Sequence, residues 1–107
     1  MVAGNPVEGR SIVAGRDGNC LLCHSIPETG ERLMGNVAPP LSKVATRLSQ
    51  GQLRLRVVDA TRVKREVAMP SYFRIEALDS VAEGYLGKTI LTAQQVEDVV
   101  AFLMTLR

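Results

Sequence analysis

The stretch Gly18-Asn19-Cys20-Leu21-Leu22-Cys23-His24 decides how the rest of the chain is read. It contains the only two cysteines and the only histidine among 107 residues. Their spacing, C-x-x-C-H, is that of c-type haem attachment. Cys20 and Cys23 would form thioethers with the two vinyl groups, and His24, one residue on, would be held beside the iron. Chance places two Cys and one His in this order about once in several thousand chains of this length. Two blander readings compete. A redox C-x-x-C should sit in a strand-and-helix pattern, which the sequence lacks. A structural zinc site needs four N or S ligands, and this chain has three Cys and His in all.

Composition narrows the class further. With 46% hydrophobic and 22% charged residues, the chain is not of disordered type. Its length suits one compact domain, residues 1–107. A formal charge of +2 argues against a dedicated nucleic-acid binder. No apolar run reaches the length of a membrane span, so no membrane partner is expected. Aromatics are only 4%, namely Tyr72, Phe73, Tyr85 and Phe102. So ring-poor a domain must find core volume elsewhere, and a bound cofactor supplies it. Covalent haem is attached outside the cytoplasm, so a periplasmic location is expected. The start, Met1-Val2-Ala3-Gly4-Asn5, lacks a basic n-region and a long apolar stretch. The expectation is therefore a processed or recloned chain.

Three stretches read as helices, and no strand alternation is evident. The first begins at Asn5-Pro6-Val7-Glu8, where Asn caps, Pro suits the first helical position and Glu suits the positive dipole end. It should run to about Arg16, with Asp17-Gly18-Asn19 breaking it. A loop rich in turn formers follows, from Ser25 to Pro40, and a short turn is expected within Leu41 to Leu48. Ser49-Gln50-Gly51-Gln52 has the form of a capping box, after which Leu53, Val57 and Ala60 recur at helical spacing. Thr92-Ala93-Gln94-Gln95 is a second capping box. The stripe Val96, Val99, Val100, Leu103 and Leu106 follows, with Gln95, Glu97 and Asp98 expected towards water. The fold class expected is all-α: a single cytochrome c-like domain folded round one covalently bound haem.

The order of helix, haem motif, loop, middle helix, loop and terminal helix resembles the cytochrome c family. In that family the first and last helices cross, with a glycine allowing close approach. Gly9 or Gly15 against Phe102 is the candidate contact; alternatively, these glycines merely end or loosen the helix. As the only histidine, His24 rules out bis-histidine ligation within the chain. Met is the common partner of His in c-type electron carriers and raises the potential. Four methionines are available. Met1 is terminal. Met104 lies on the last helix and suits a core role. Met34 is close to His24, in a loop needed on the His side of the ring. Met69 follows the middle helix and precedes Pro70, which restricts it to extended backbone. Met69 is the preferred iron ligand and Met34 the main rival, with ordinary core packing open to any of them.

Cytochromes c hold the ligand histidine with a proline carbonyl after a small residue. Ala38-Pro39-Pro40-Leu41 makes Pro39 the candidate, a rigid turn being the alternative. A basic cluster, Arg47, Arg54, Arg56, Arg62, Lys64 and Arg65, is interrupted by Asp59. Buried haem propionates need such donors, and Arg56 is the candidate. For most of the cluster a solvated face is the simpler reading, and docking onto an acidic partner is a third.

A narrower resemblance rests on four segments. They are Gly18 to His24, Ala38-Pro39-Pro40-Leu41, Ala68-Met69-Pro70-Ser71-Tyr72, and Leu91-Thr92-Ala93-Gln94-Gln95-Val96-Glu97-Asp98-Val99-Val100-Ala101-Phe102-Leu103. Together with Tyr85-Leu86-Gly87-Lys88 they resemble the SoxX family, the monohaem c-type subunit of the SoxAX complex of bacterial sulfur oxidation. The resemblance runs from about Gly9 to Leu106. It implies haem c, ligated by His24 and Met69, in a heterodimer with a SoxA-like cytochrome subunit. That complex joins thiosulfate oxidatively to a cysteine of the SoxYZ carrier, the activity of an L-cysteine S-thiosulfotransferase. The catalytic haem belongs to SoxA, and SoxX passes electrons to a small soluble cytochrome c. This chain has no cysteine left to bind sulfur. The competing reading is a free-standing periplasmic cytochrome c between respiratory complexes, and a binding-only role is a third. Tyr72, Phe73, Ile75, Leu78 and Tyr85 are candidates for a partner surface, or else for covering the haem.

Overall fold

The computed structural model describes residues 3–15, 18–31, 33–36, 38–63, 69–73 and 89–107, with Leu22 described by its backbone alone. Three α-helices lie among them: α1 (Pro6–Ala14), α2 (Gln50–Asp59) and α3 (Ala93–Met104). Short 3-10 turns occupy Cys20–Leu22, Pro27–Thr29, Val44–Thr46 and Ala60–Arg62, and no strand occurs among the described residues. The fold is all-helical, as the patterning requires.

Each helix starts where its capping chemistry dictates. The Asn5 side chain accepts from the Val7 N–H at 2.9 Å, ahead of Pro6 at the first helical position. Both capping boxes close in both directions. Gln52 N–H donates to Ser49 Oγ at 3.2 Å while Ser49 N–H donates to Gln52 Oε1 at 2.8 Å. Gln95 N–H donates to Thr92 Oγ1 at 3.1 Å while Thr92 N–H donates to Gln95 Oε1 at 2.8 Å. Helix α1 ends at Ala14, two residues before the expected Arg16. Gly15 turns extended, and its N–H closes the last turn on the Ile12 carbonyl at 3.1 Å. Arg16 and Asp17 lie outside the described residues.

The core is the meeting of the three helices. Val13 of α1, Leu53 and Val57 of α2, and Val96, Val99, Val100, Phe102 and Leu103 of α3 are buried together, with Ile26, Val44, Tyr72, Leu91 and Leu106 closing round them. Burying each aliphatic side chain contributes roughly 1.5–3 kcal/mol, so this stripe outweighs any single polar contact in the molecule. Helix α1 makes its main contact with α3. A Cβ at Gly9 would lie 1.8 Å from the Asp98 carbonyl oxygen and 2.9 Å from the Phe102 Cβ. Only a residue without a side chain lets the backbones come this close. Gly15 has no part in it, since its nearest neighbours are its own helix's carbonyls. Gly4 makes a second close approach, to the Glu97 carbonyl, which helical periodicity does not reveal.

The same crossing corrects the polar face of α3. Asp98 is only 7% exposed, not turned to water. Its Oδ1 accepts the Asn5 N–H at 2.9 Å and Gln94 Nε2 at 2.9 Å. The start of α1 covers this face because Gly4 and Gly9 allow it. Glu97 is half-buried and takes a two-pronged ion pair from Arg54 of α2, at 2.8 and 2.7 Å. No described helix is long and apolar enough to cross a membrane.

Candidate haem-attachment site

The haem motif is presented by a tight turn between α1 and a long loop. Asn19 takes left-handed backbone (φ 48°), a conformation Asn tolerates better than most residues, and swings the chain into the Cys20–Leu22 turn. The N–H groups of Cys23 and His24 both reach the Cys20 carbonyl, at 3.2 and 2.9 Å. This winding puts both thiols and the imidazole on one short turn. The two cysteines are not joined in a disulfide. Burial pushes the Cys20 thiol up to about 11. Reactive C-x-x-C cysteines have lowered values, so the redox reading is disfavoured. An uncharged thioether sulfur fits so enclosed a position without that penalty. Among the described residues, no group of three or more His, Cys, Asp or Glu converges to hold a metal ion.

A second strand of loop runs beside the motif. Gly35 N–H donates to the Leu21 carbonyl at 2.7 Å, Ala38 N–H to Cys23 at 3.0 Å and Leu41 N–H to Ser25 at 2.9 Å. The last two bonds straddle His24. Pro39 and Pro40 lie between them and have no N–H to offer. The Pro39 carbonyl sits 2.7 Å from His24 Nδ1. A carbonyl can only accept, so Nδ1 carries the proton and the Nε2 lone pair is left for a metal. Arg47 braces this loop, donating to the Pro40 and Ser42 carbonyls at 3.0 Å each.

The methionines fall in different settings. Met34 Sδ accepts the Ile26 N–H at 3.2 Å, so its sulfur is already engaged on the haem-motif loop. Met104 packs against the core from α3, and Met1 is outside the described residues. Met69 is half-buried and packs on the same core as Cys20. The backbone following it is tightly held. Tyr72 and Phe73 N–H groups donate to the Val57 and Val58 carbonyls at 3.2 and 3.1 Å, filling acceptors left open at the end of α2. Leu91 N–H in turn donates to the Tyr72 carbonyl at 3.0 Å.

Tyr72 is not a partner surface. It is 5% exposed, and its hydroxyl donates to the Gly18 carbonyl beside the haem motif. Burial pushes its phenol well above the usual range. Phe73 is exposed, while Ile75, Leu78 and Tyr85 lie outside the described residues. Arg56, half-exposed on α2, donates to the Gln52 carbonyl of its own helix at 3.1 Å. Lys64 and Arg65 also lie outside the described residues. The ties of Tyr72 to Gly18, and of Ser71 to Asp59 at 2.7 Å, have no counterpart in the sequence pattern. The one local signal was an acid, Asp59, at the unfavourable C-terminal end of a helix.

A turn carrying two half-buried thiols and a histidine held by a proline carbonyl, inside crossed terminal helices, has clear relatives. The family model for cytochrome c matches residues 7–107. The chain belongs to the cytochrome c family, which implies covalently bound haem c. It is also similar to a chain in the crystal structure of SoxXA from P. pantotrophus. Identity is 37%, covering 98% of this chain and 83% of that one, with a TM-score of 0.88. It is thus a SoxX-like cytochrome. No curated protein matches.

Proposed function

We propose that this chain is the electron-transfer subunit of a SoxAX-type complex in the periplasm. It pairs with a SoxA-like cytochrome subunit that holds the catalytic centre. The complex joins thiosulfate to a cysteine of a SoxYZ-type carrier: one S–S bond forms, the thiol loses its proton and two electrons leave. This subunit takes those electrons and passes them to a small soluble cytochrome c. The observation that carries the reading is the 37% identity to a SoxXA chain across nearly the whole length.

The chain's residues fit that role. Cys20 and Cys23 anchor one haem c, whose iron supplies a one-electron couple. Pro39 fixes the His24 ring and its tautomer, leaving Nε2 towards the metal. Met69 would supply the second protein ligand to the iron, favoured over Met34 because the latter's sulfur already accepts the Ile26 N–H. Arg56 retains donors beyond the one used on Gln52 and is the candidate for a propionate. With His24 and Met69 both engaged and both cysteines consumed, the chain has no open position for a sulfur substrate.

Two experiments test this. Co-expressed with a SoxA-like cytochrome, the chain should co-purify as a heterodimer burying roughly 800 Å² per side. No association, together with rapid direct reduction of an oxidase, favours a free-standing shuttle instead. Met69→Ala should abolish the weak ferric absorption near ~700 nm that reports a Met–iron bond, and lower the potential. A retained band transfers the ligand role to Met34 or Met104.

A further inference from the structure

Asp59 is the last residue of α2, where the negative end of the helix dipole disfavours an acid. It is nevertheless 3% exposed. One oxygen, Oδ1, gathers the Thr61 N–H at 3.2 Å, the Thr61 hydroxyl and the Ser71 hydroxyl at 2.7 Å. The other, Oδ2, lies 3.5 Å from Arg62 Nε. Capping the Ala60–Arg62 turn needs only the Thr61 contact, which an uncharged Asn or Ser also provides. The Ser71 contact is of another kind. It reaches twelve residues along the chain, to a buried hydroxyl two positions after Met69.

We propose that Asp59 is a positioning residue for the methionine ligand: through Ser71 it fixes the Met69-Pro70 arm that presents the thioether. The arm has little slack. Pro70 has a locked φ, and the N–H groups of Tyr72 and Phe73, two and three residues on, are tied to Val57 and Val58 in the same last turn of α2. The carboxylate therefore joins the end of α2 to the ligand segment through a side-chain hydroxyl two residues from the methionine. A charged acceptor makes a stronger hydrogen bond than a neutral one, and so holds the arm more firmly. The inference rests on Met69 as the iron ligand.

The test is binding of imidazole to the ferric holoprotein, which displaces a weakly held methionine and is followed by loss of the band near ~700 nm. Ser71→Ala should tighten imidazole binding about ten-fold, the scale of one hydrogen bond to a charged group. Asp59→Asn, which keeps an acceptor oxygen, should fall between that variant and the native protein. Thr61→Ala removes a donor from the same oxygen and leaves the Ser71 hydroxyl on it. It should lower the melting temperature while leaving imidazole affinity unchanged. Native-like affinity in Ser71→Ala, or an equal rise in Thr61→Ala, overturns the proposal. Should Met69→Ala keep the band, the ligand reading fails and takes this inference with it. Should Met69→Ala lose the band while Ser71→Ala binds as native, this inference alone fails.

Discussion

The crossing of α1 on α3 and the loops around His24 are held by different forces. At the crossing, apolar side chains are buried in quantity, and α3 alone buries Val96, Val99, Val100, Phe102 and Leu103. From residue 20 to residue 40, the buried residues among those described are Ile26 and Thr29. That stretch is organised instead by single backbone bonds, such as Gly35 to Leu21 and Ala38 to Cys23. Each such bond contributes a net of only about 1 kcal/mol, against a backbone ordering cost of about 1–2 kcal/mol per residue. The crossing can hold itself together by packing. The loops need something else to close on, and a covalently anchored ring supplies both the apolar surface and the tether.

The largest effect expected follows directly. The double variant Cys20→Ala with Cys23→Ala removes the tether and should leave little folded protein, read by near-ultraviolet circular dichroism and limited proteolysis. Early cleavage should fall in residues 20–40, with the α1–α3 region resisting longest. A haem-free double variant with native dichroism and native protease resistance breaks the comparison.

Gly9→Ala attacks the other region. The added methyl meets the backbone oxygen of Asp98, which cannot rotate aside, so the helices must separate. A loss of about 1–3 kcal/mol is expected, as for overpacked cores, seen as a lower denaturant midpoint. The ferric absorption near ~700 nm expected of the proposed Met69 ligation should survive in the folded fraction, because the close approach of Gly9 is to α3. Gly15→Ala should cost less, since its methyl comes closest to the Ser11 carbonyl of its own helix, at 2.9 Å, and meets nothing from α3. Equal losses at the two glycines refute the close-approach argument.

The same contrast explains what the sequence discloses. Capping boxes at Ser49 and Thr92 are legible because donor and acceptor lie three residues apart. The haem motif is legible because its chemistry is compressed into five residues. Periodicity alone leaves Gly9 and Gly15 equal, because the choice depends on where another helix comes to rest. It also turns Asp98 outward, because a helical wheel does not include the chain start that covers it. The hydroxyl of Tyr72 reaching Gly18 spans 54 residues, and no local pattern encodes such a bond.

The smallest effect sits where the two kinds of force meet the surface, at the Arg54–Glu97 pair joining α2 to α3. The hydrogen bonds from Arg54 hold the Glu97 carboxyl below the usual carboxylate range. A carboxyl with a lowered folded-state value stabilises the fold above its unfolded value of about 4.3. That contribution is complete at neutral pH and is lost as pH falls through the folded-state value. Both side chains are partly exposed, at 38% and 22%, so solvent and salt screen the pair. Glu97→Gln should therefore cost under ~1 kcal/mol at neutral pH and progressively less in acid, and the difference from native should shrink in high salt. A larger loss, unchanged by salt, shows that the pair acts as part of the buried crossing, with α2 drawn into the packing that joins α1 to α3.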